Sequence, residues 1–207
     1  MGERIVKASD ERKQEILDVS ERMFVTKGYE LTTVNDILNE VKIAKGTFYY
    51  YFKSKEEVLD ALIERRVLLG VENAKRILAS DLSPIQKILA IIMAQQSQGD
   101  TRDGLVEILH DKDNSKMHVK SFIQTILHLS PCLAEVVIEG NESGIFNTPY
   151  PLESIELLLA SAMILFDDDF FIYPKEVKSI KVKAYLDNIE RVLGAESGSF
   201  SEFERVF

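Results

Sequence analysis

Helical periodicity that starts near the N-terminus is the strongest constraint on the fold of this chain. One face of a short helix is formed by four apolar residues at positions i, i+3, i+4 and i+7, namely Val34, Ile37, Leu38 and Val41. Proline does not occur before Pro84, and no segment alternates β-branched and polar residues between turn signals. The sequence therefore predicts an all-α fold.

The composition of the 207 residues is that of an ordinary globular protein, with 45% apolar and 29% charged residues. Apolar runs such as Ile88–Ala94 are much shorter than the roughly 20 residues of a membrane-spanning helix. The N-terminus is polar and lacks the pattern of a secretory signal. Cys132 is the only cysteine, which excludes an internal disulfide and a cysteine-based zinc site. We therefore expect a cytoplasmic protein that does not enter the membrane.

Start and stop signals divide the chain into nine predicted helices. Ser54-Lys-Glu-Glu57 is a capping box, and Ser83-Pro84 is a second helix start. The predicted helices cover residues 9–27, 33–41, 44–52, 54–78, 84–98, 104–110, 115–139 (with Pro131 as a kink or break), 152–170 and 175–193. We expect a three-helix head over residues 1–52 and a helical body over 53–207. The tail Ala195–Phe207 could dock on the body, swap to a partner subunit or stay loose.

Charge is distributed unevenly along the chain, whose net charge is −9. Residues 1–55 contain ten basic and nine acidic side chains, whereas residues 56–207 contain 15 and 25. The segment Lys42–Lys55 holds four lysines and no acid. A small basic island on an acidic protein is typical of a local contact with an anionic partner such as nucleic acid.

The segment Thr32–Lys55, TTVNDILNEVKIAKGTFYYYFKSK, describes two short helices with a tight break followed by a capped third helix. This is the pattern of a helix-turn-helix. Four residues of the second short helix share one face within about 140° at 100° per residue, namely Lys45, Gly46, Tyr49 and Tyr50. Phe48 and Phe52 point the opposite way, toward the first helices.

The shared face suits a DNA groove. Lysine reaches guanine or phosphate, tyrosine binds phosphate or packs on a thymine methyl, and the bare backbone of Gly46 permits close approach. Lys55 and the backbone amides near Thr33 are candidates for phosphate contacts. The alternative is a solvated helix face for the first group, and ordinary capping and surface charge for Thr33 and Lys55.

Residues Glu11–Ile63 resemble the N-terminal part of TetR-like transcriptional regulators, above all in Lys-Gly-Thr-aromatic-Tyr-x-x-Phe-x-x-Lys, here KGTFYYYFKSK. A weaker similarity lies at Glu139–Phe146, EGNESGIF. The resemblance implies a phosphate contact at Thr33. It also implies DNA-contacting roles along the recognition helix and just beyond it, for Ala44, Lys45, Gly46, Thr47, Tyr49, Tyr50, Tyr51 and Lys55.

Two positions depart from the family pattern. Lys42 replaces the usual glycine of the turn, which costs strain if its φ is positive. Ala44 replaces a small polar residue, which removes a side-chain cap.

The resemblance implies a repressor that binds a pseudo-palindromic operator as a homodimer and is controlled by a small molecule. The last two long helices would form the dimer interface, through Leu157, Leu158, Ala160, Ser161, Ile164, Leu165, Val182, Tyr185, Leu186, Ile189 and Leu193. Ligand binding would change the setting of the helix over 54–78 and so the spacing of the two heads.

Apolar residues at helical spacing in the body are core by default, but some could contact a ligand. The candidates are Met93, Met117, Phe122, Met163 and Phe166. The spacing of His110, His118 and His128 does not form a metal-binding pair, and Asp167–Asp169 is interpreted as a solvated helix end. Cys132 is expected to be a buried apolar residue. We predict no metal, cofactor or catalytic group.

Two other classes of function stay open. An enzyme would need a polar constellation in the body and would reveal itself by turnover of a metabolite. A helical protein-interaction module would lose its protein partner on charge reversal at Lys45 and Lys55. Neither the wild type nor the variant would then show measurable DNA binding.

Overall fold

The computed structural model describes residues 2–100 and 115–206, and within these ranges all regular structure is helical, which confirms the predicted all-α class. The predicted helix over 104–110 and His110 lie outside the described residues. We number the described α-helices in chain order. They are α1 Gly2–Lys27, α2 Val34–Val41, α3 Lys45–Tyr51, α4 Lys55–Leu78, α5 Pro84–Asp100, α6 Ser115–Glu142, α7 Pro151–Leu165 and α8 Lys175–Leu193, followed by a 3₁₀ turn at Ser201–Val206.

The chain forms two compact units. Of the described residues, 2–66 and 115–119 belong to the N-terminal unit, and 67–100 and 120–206 belong to the C-terminal unit. The division falls inside α4 and again near the start of α6, so that both helices contribute residues to both units. The predicted domain boundary at 52/53 stays a prediction.

The core of the N-terminal unit is made by the apolar faces that the periodicity predicts. Phe48 and Phe52 are buried and face this core, opposite to the side of α3 predicted to contact DNA. Burying such aromatic side chains is worth roughly 1.5–3 kcal/mol each. The other buried apolar residues of this core are Ile16, Leu17, Phe24, Tyr29, Ile37, Leu38, Val41, Val58, Leu59, Leu62 and Ile63.

Ion pairs connect α1 to the helices that pack on it. Arg65 of α4 donates to Asp18 at 2.6 Å and to Glu21 at 2.7 Å. Arg22 of α1 donates to Glu40 of α2 at 2.8 Å. These ion pairs stabilise the packing of α2 and α4 against α1, which positions α2 and α3.

Helix α6 runs through the C-terminal unit without a break at Pro131. Its part Met117–Glu142 is long and apolar enough to cross a membrane, although only by length and composition. Five of its residues are buried in the core of this unit, namely Leu129, Cys132, Leu133, Val136 and Val137. Core helices pass the same test, so one such helix in the described ranges is weak evidence for a membrane span.

The EGNESGIF segment ends α6 by a close approach between Gly140 and Phe146. The backbone N–H groups of Ile145 and Phe146 donate to the carbonyl of Gly140 at 2.8 and 3.0 Å. A β-carbon at position 140 would lie 2.0 Å from Cδ2 of Phe146. Gly140 is therefore required by packing.

The tail docks on the C-terminal unit, the first of the three arrangements left open by the sequence. Phe200, Phe203 and Val206 are buried in its core. The buried carboxylate of Glu190 on α8 accepts a hydrogen bond from the N–H of Phe200 at 3.0 Å. The tail is thus fixed by both apolar burial and a polar contact.

Helix α7 ends at Leu165, five residues before the predicted end at residue 170. The carbonyl of Asp167 accepts from the N–H groups of Phe170 and Phe171, and its carboxylate accepts from the N–H of Asp169. These contacts form a turn in place of further helix. Lys178 lies 3.8 Å from Asp168, so that a cation compensates the acidic segment.

The predicted dimer surface is wrong for five of its residues. They are buried in the chain's own C-terminal unit and therefore have little exposed surface to offer a partner: Leu158, Val182, Leu186, Ile189 and Leu193. Of the remaining residues, Leu157, Ile164 and Leu165 are exposed. Ala160, Ser161 and Tyr185 are half-buried.

Candidate nucleic-acid interface and ligand cavity

The turn between α2 and α3 is tight because the backbone of Lys42 is left-handed, with φ 58° and ψ 47°. The N–H groups of Lys42 and Ile43 both return to the carbonyl of Leu38, the latter at 3.1 Å. This arrangement ends α2 and directs the chain into α3. The positive φ, which was the condition for the expected strain at Lys42, is observed.

Replacing Lys42 by glycine is expected to raise the free energy of unfolding by about 1 kcal/mol, because glycine adopts a left-handed conformation without steric cost. Lys42→Ala removes the same charge but keeps the β-carbon, so it is the matched control. Urea denaturation followed by circular dichroism measures both. Equal stability of the two variants would contradict the strain.

The N-terminus of α2 is closed by a reciprocal capping box. The Thr33 hydroxyl accepts from the N–H of Asp36 at 3.1 Å, and the Asp36 carboxylate accepts from the N–H of Thr33 at 2.9 Å. Lys27 of α1 donates to the same carboxylate at 2.6 Å. The hydrogen bonds from Lys27 and Thr33 hold the pKa of Asp36 well below its usual range. Thr33 itself is exposed, and its phosphate contact stays a prediction.

The outer face of α3 is open to solvent. Tyr50 is 77% and Tyr49 46% exposed, and Lys45 and Gly46 beside them are also exposed. The ammonium group of Lys45 lies 5.8 Å from the ring centroid of Tyr49. A β-carbon at position 46 would meet no other atom within 4 Å. The fold itself therefore does not require glycine at position 46.

The remaining predicted contacts flank this face. Ala44 is the N-cap residue of α3 and is exposed. Its methyl side chain cannot form a capping hydrogen bond. Thr47 is half-buried, and its N–H donates to the carbonyl of Ala44 at 2.9 Å. The half-buried ring of Tyr51 packs edge-on against Tyr50, with centroids 4.9 Å apart. The contact with Tyr51 orients the Tyr50 side chain.

Lys55 has a structural partner that the sequence did not reveal. Its ammonium group donates to the carbonyl of Tyr29 at 2.7 Å and lies 4.1 Å from the centroid of the Tyr29 ring. Lys55 thus joins the start of α4 to the loop before α2. A phosphate contact by Lys55 stays a prediction, and it would have to share this ammonium group.

A cavity of about 430 Å³ lies within the C-terminal unit. Three of the five predicted ligand-contacting residues line it, namely Phe122, Met163 and Phe166, whereas Met93 and Met117 do not. Helical spacing did not distinguish these two groups, since it identifies apolar positions but not the ones beside a void. The other lining residues are Ile92, Gln95, Thr125, Leu129, Leu159, Ala162, Asp167, Lys178, Tyr185, Ile189, Phe203 and Val206.

Cys132 is buried, as predicted, and burial raises the pKa of its thiol. A thiol with a raised pKa is a poor nucleophile, so the residue acts as a small apolar core group.

Two models of known families match this sequence. Residues 16–62 match the bacterial regulatory proteins of the tetR family, and residues 99–188 match a tetracyclin repressor-like C-terminal domain. The first match contains α2 and α3 and the turn between them.

Among curated proteins, the chain is 40% identical over 77 residues to an uncharacterized HTH-type transcriptional regulator of Lactococcus lactis. The match covers 37% of this chain and 39% of that protein. It is 30% identical over 101 residues to the HTH-type transcriptional repressor KstR2 of Mycolicibacterium smegmatis, covering 49% of each. The chain thus spans about half, or less, of the length of these relatives.

Solved structures share the fold over nearly the whole chain. RolR, in complex with resorcinol, superposes with a TM-score of 0.68 at 14% identity, covering 97% of this chain and 95% of that one. SmeT, the repressor of a Stenotrophomonas maltophilia multidrug efflux pump, superposes with a TM-score of 0.56 at 18% identity, covering 91% and 92%.

Proposed function

The chain belongs to the TetR family of bacterial regulatory proteins, and on this basis we propose that it is a sequence-specific DNA-binding repressor controlled by a small molecule. The observation that carries the proposal is the outer face of α3. Two adjacent tyrosines and a lysine are exposed there around a glycine that the fold does not require. Large exposed aromatic side chains in a cluster are typical of a contact surface.

DNA binding is tested by fluorescence anisotropy on duplex DNA from around the protein's own gene, with nonspecific competitor present. We expect tight binding that resists competitor and weakens by about tenfold, or 1.4 kcal/mol, in each of Lys45→Ala and Tyr49→Ala. Leu69→Ala, at an exposed position of α4, is the control and should bind as the wild type does. If this DNA and every other fragment of the genome bind only weakly, and competitor abolishes that binding, the proposal is contradicted.

The acidic remainder of the chain favours contact through the basic island alone, because residues 56–207, with 25 acidic and 15 basic side chains, repel DNA. We place this activity in the cytoplasm. The similar proteins of Lactococcus lactis and Mycolicibacterium smegmatis are transcriptional regulators, and binding rather than catalysis is the proposed activity.

Control by a ligand is supported by the cavity of the C-terminal unit, whose size is within the range of about 300–1,000 Å³ for small-molecule sites. RolR, which shares the fold, was crystallised with resorcinol. Helix α4 contributes its first half to the N-terminal unit and the rest to the C-terminal unit, and the start of α6 crosses the same division. A ligand that favours one setting of α4 would change the spacing of two recognition helices in a dimer, which must lie about 34–36 Å apart to enter successive major grooves.

A homodimer through α7 and α8 is the proposed assembly. Several large apolar side chains of α7 and α8 are exposed, among them Leu157 at 62% and Ile180 at 68%, and a group of exposed apolar side chains is typical of an interaction surface. Leu157→Asp is expected to shift the protein from dimer to monomer in sedimentation equilibrium. Leu69→Asp, a comparable change on α4, should leave the dimer intact. A wild-type mass for Leu157→Asp, or a monomeric wild type, would contradict this interface.

A further inference from the structure

The C-terminal turn Ser201–Val206 is part of the wall of the cavity. Phe203 and Val206 line it beside Ile92 of α5 and Ile189 of α8. Both tail residues are buried, and the turn is held in place by the contact between Glu190 and the N–H of Phe200. A molecule that fills this cavity would therefore contact the tail.

The lining is rich in aromatic rings. Four of its residues carry one, namely Phe122, Phe166, Tyr185 and Phe203. The rings of Phe166 and Tyr185 already form an edge-on pair, with centroids 5.3 Å apart. Because aromatic rings pack favourably against other rings in offset or edge-on arrangements, this lining favours a ligand that contains a ring.

The charged groups of the lining balance one another. Lys178 contributes one positive charge and Asp167 one negative charge, and Lys178 also faces the carboxylate of Asp168 at 3.8 Å. Gln95 and Thr125 add neutral hydrogen-bonding groups. The lining therefore carries one charge of each sign and no net charge that would favour an ion, whereas a hydroxyl group can both donate and accept hydrogen bonds there.

We propose that the cavity binds an uncharged ring compound that carries a hydroxyl group, and that Phe203 and Val206 of the C-terminal turn are contact residues for it. The proposal rests on the proposed function in taking this cavity as the effector site. It adds the chemical class of the ligand and a role for the tail.

The ligand class is tested by displacement of the neutral fluorescent probe N-phenyl-1-naphthylamine from the full-length protein at pH 7. The competitors share one ring system and differ in charge: 2-naphthol, 2-naphthoate and 2-naphthylmethylammonium. We expect 2-naphthol to displace the probe at a concentration at least about tenfold lower than either ion, a difference of 1.4 kcal/mol. Equal or better displacement by an ion would overturn the proposed class.

The role of the tail is tested with two variants of opposite steric effect. Val206→Phe fills part of the cavity and Phe203→Leu removes a ring while keeping an apolar side chain, and each should weaken 2-naphthol binding by about fivefold or more. Glu202→Gln, an exposed change in the same turn, is the control. Thermal unfolding of each variant shows whether it folds. If Val206→Phe does not fold, the test rests on Phe203→Leu, which is the smaller change. Wild-type affinity in a folded tail variant would overturn the contact.

Operator binding on the same preparations separates the two proposals. If the displacement pattern holds but no DNA fragment binds specifically, the ligand class stands and the proposed function falls. If specific DNA binding holds but the displacement pattern fails, the proposed function stands and the ligand class falls.

Discussion

Replacing Gly140 by alanine is expected to lower the free energy of unfolding of the C-terminal unit by about 3 kcal/mol, the upper part of the range for overpacked cores. The new β-carbon would lie 2.0 Å from Cδ2 and 2.6 Å from Cε2 of Phe146. The ring of Phe146 has no room to retreat, because it is 2% exposed and stacks on Phe200 with centroids 6.1 Å apart. The tail would be displaced together with the ring.

Urea denaturation followed by circular dichroism measures this effect. Gly144→Ala is the matched control four residues away, since its β-carbon would meet no atom and only its φ of 75° is unfavourable. It should cost about 1–2 kcal/mol. Adding Phe146→Leu to Gly140→Ala should recover part of the loss, because the smaller side chain makes room for the methyl group. If Gly140→Ala lowers the free energy of unfolding by less than Gly144→Ala does, the close packing of Gly140 against Phe146 does not matter for stability as proposed.

Replacing Gly46 by alanine is expected to change folding and DNA binding in opposite directions. Stability should rise by roughly 0.5–1 kcal/mol, because alanine is the better helix former and its methyl group meets no atom of the protein. Operator affinity should fall by about 30-fold, or 2 kcal/mol, because the methyl group would stand between α3 and the DNA.

Anisotropy and urea denaturation on one preparation measure both effects. Asn39→Ala, at an exposed position of α2, also improves helix propensity and should leave operator affinity unchanged. Unchanged affinity in Gly46→Ala would show that α3 does not approach DNA closely at this residue. Reduced stability would show instead that the loss of affinity reflects unfolding.

Local patterns predicted much of this molecule. The face of Lys45, Tyr49 and Tyr50 follows from helical spacing, and the structure leaves this face open to solvent. The positive φ at Lys42 is expected from the resemblance to TetR-like regulators, which usually have glycine at this position of the turn. The outer face of α3 depends on residues within about one helical turn of each other, so a short window of sequence contains the necessary information.

The predicted dimer surface failed for a different reason. Leu158 and Leu186 lie on apolar helix faces, and such a face is equally suited to the chain's own core and to a partner subunit. In the structure these residues are buried within the C-terminal unit, whereas Leu157, adjacent to Leu158, is exposed. Periodicity reports that a face is buried, but not against which surface.

The amino-acid pattern alone was enough to establish the helical class, the helix-turn-helix and the side of α3 that faces outward, because each depends on hydrogen bonds and spacing within a helix or across one turn. The contact of Lys55 with Tyr29, 26 residues away, required the folded chain. So did the placement of Phe203 and Val206 beside the cavity. These contacts join residues distant in sequence, and they form only when whole helices have packed against each other.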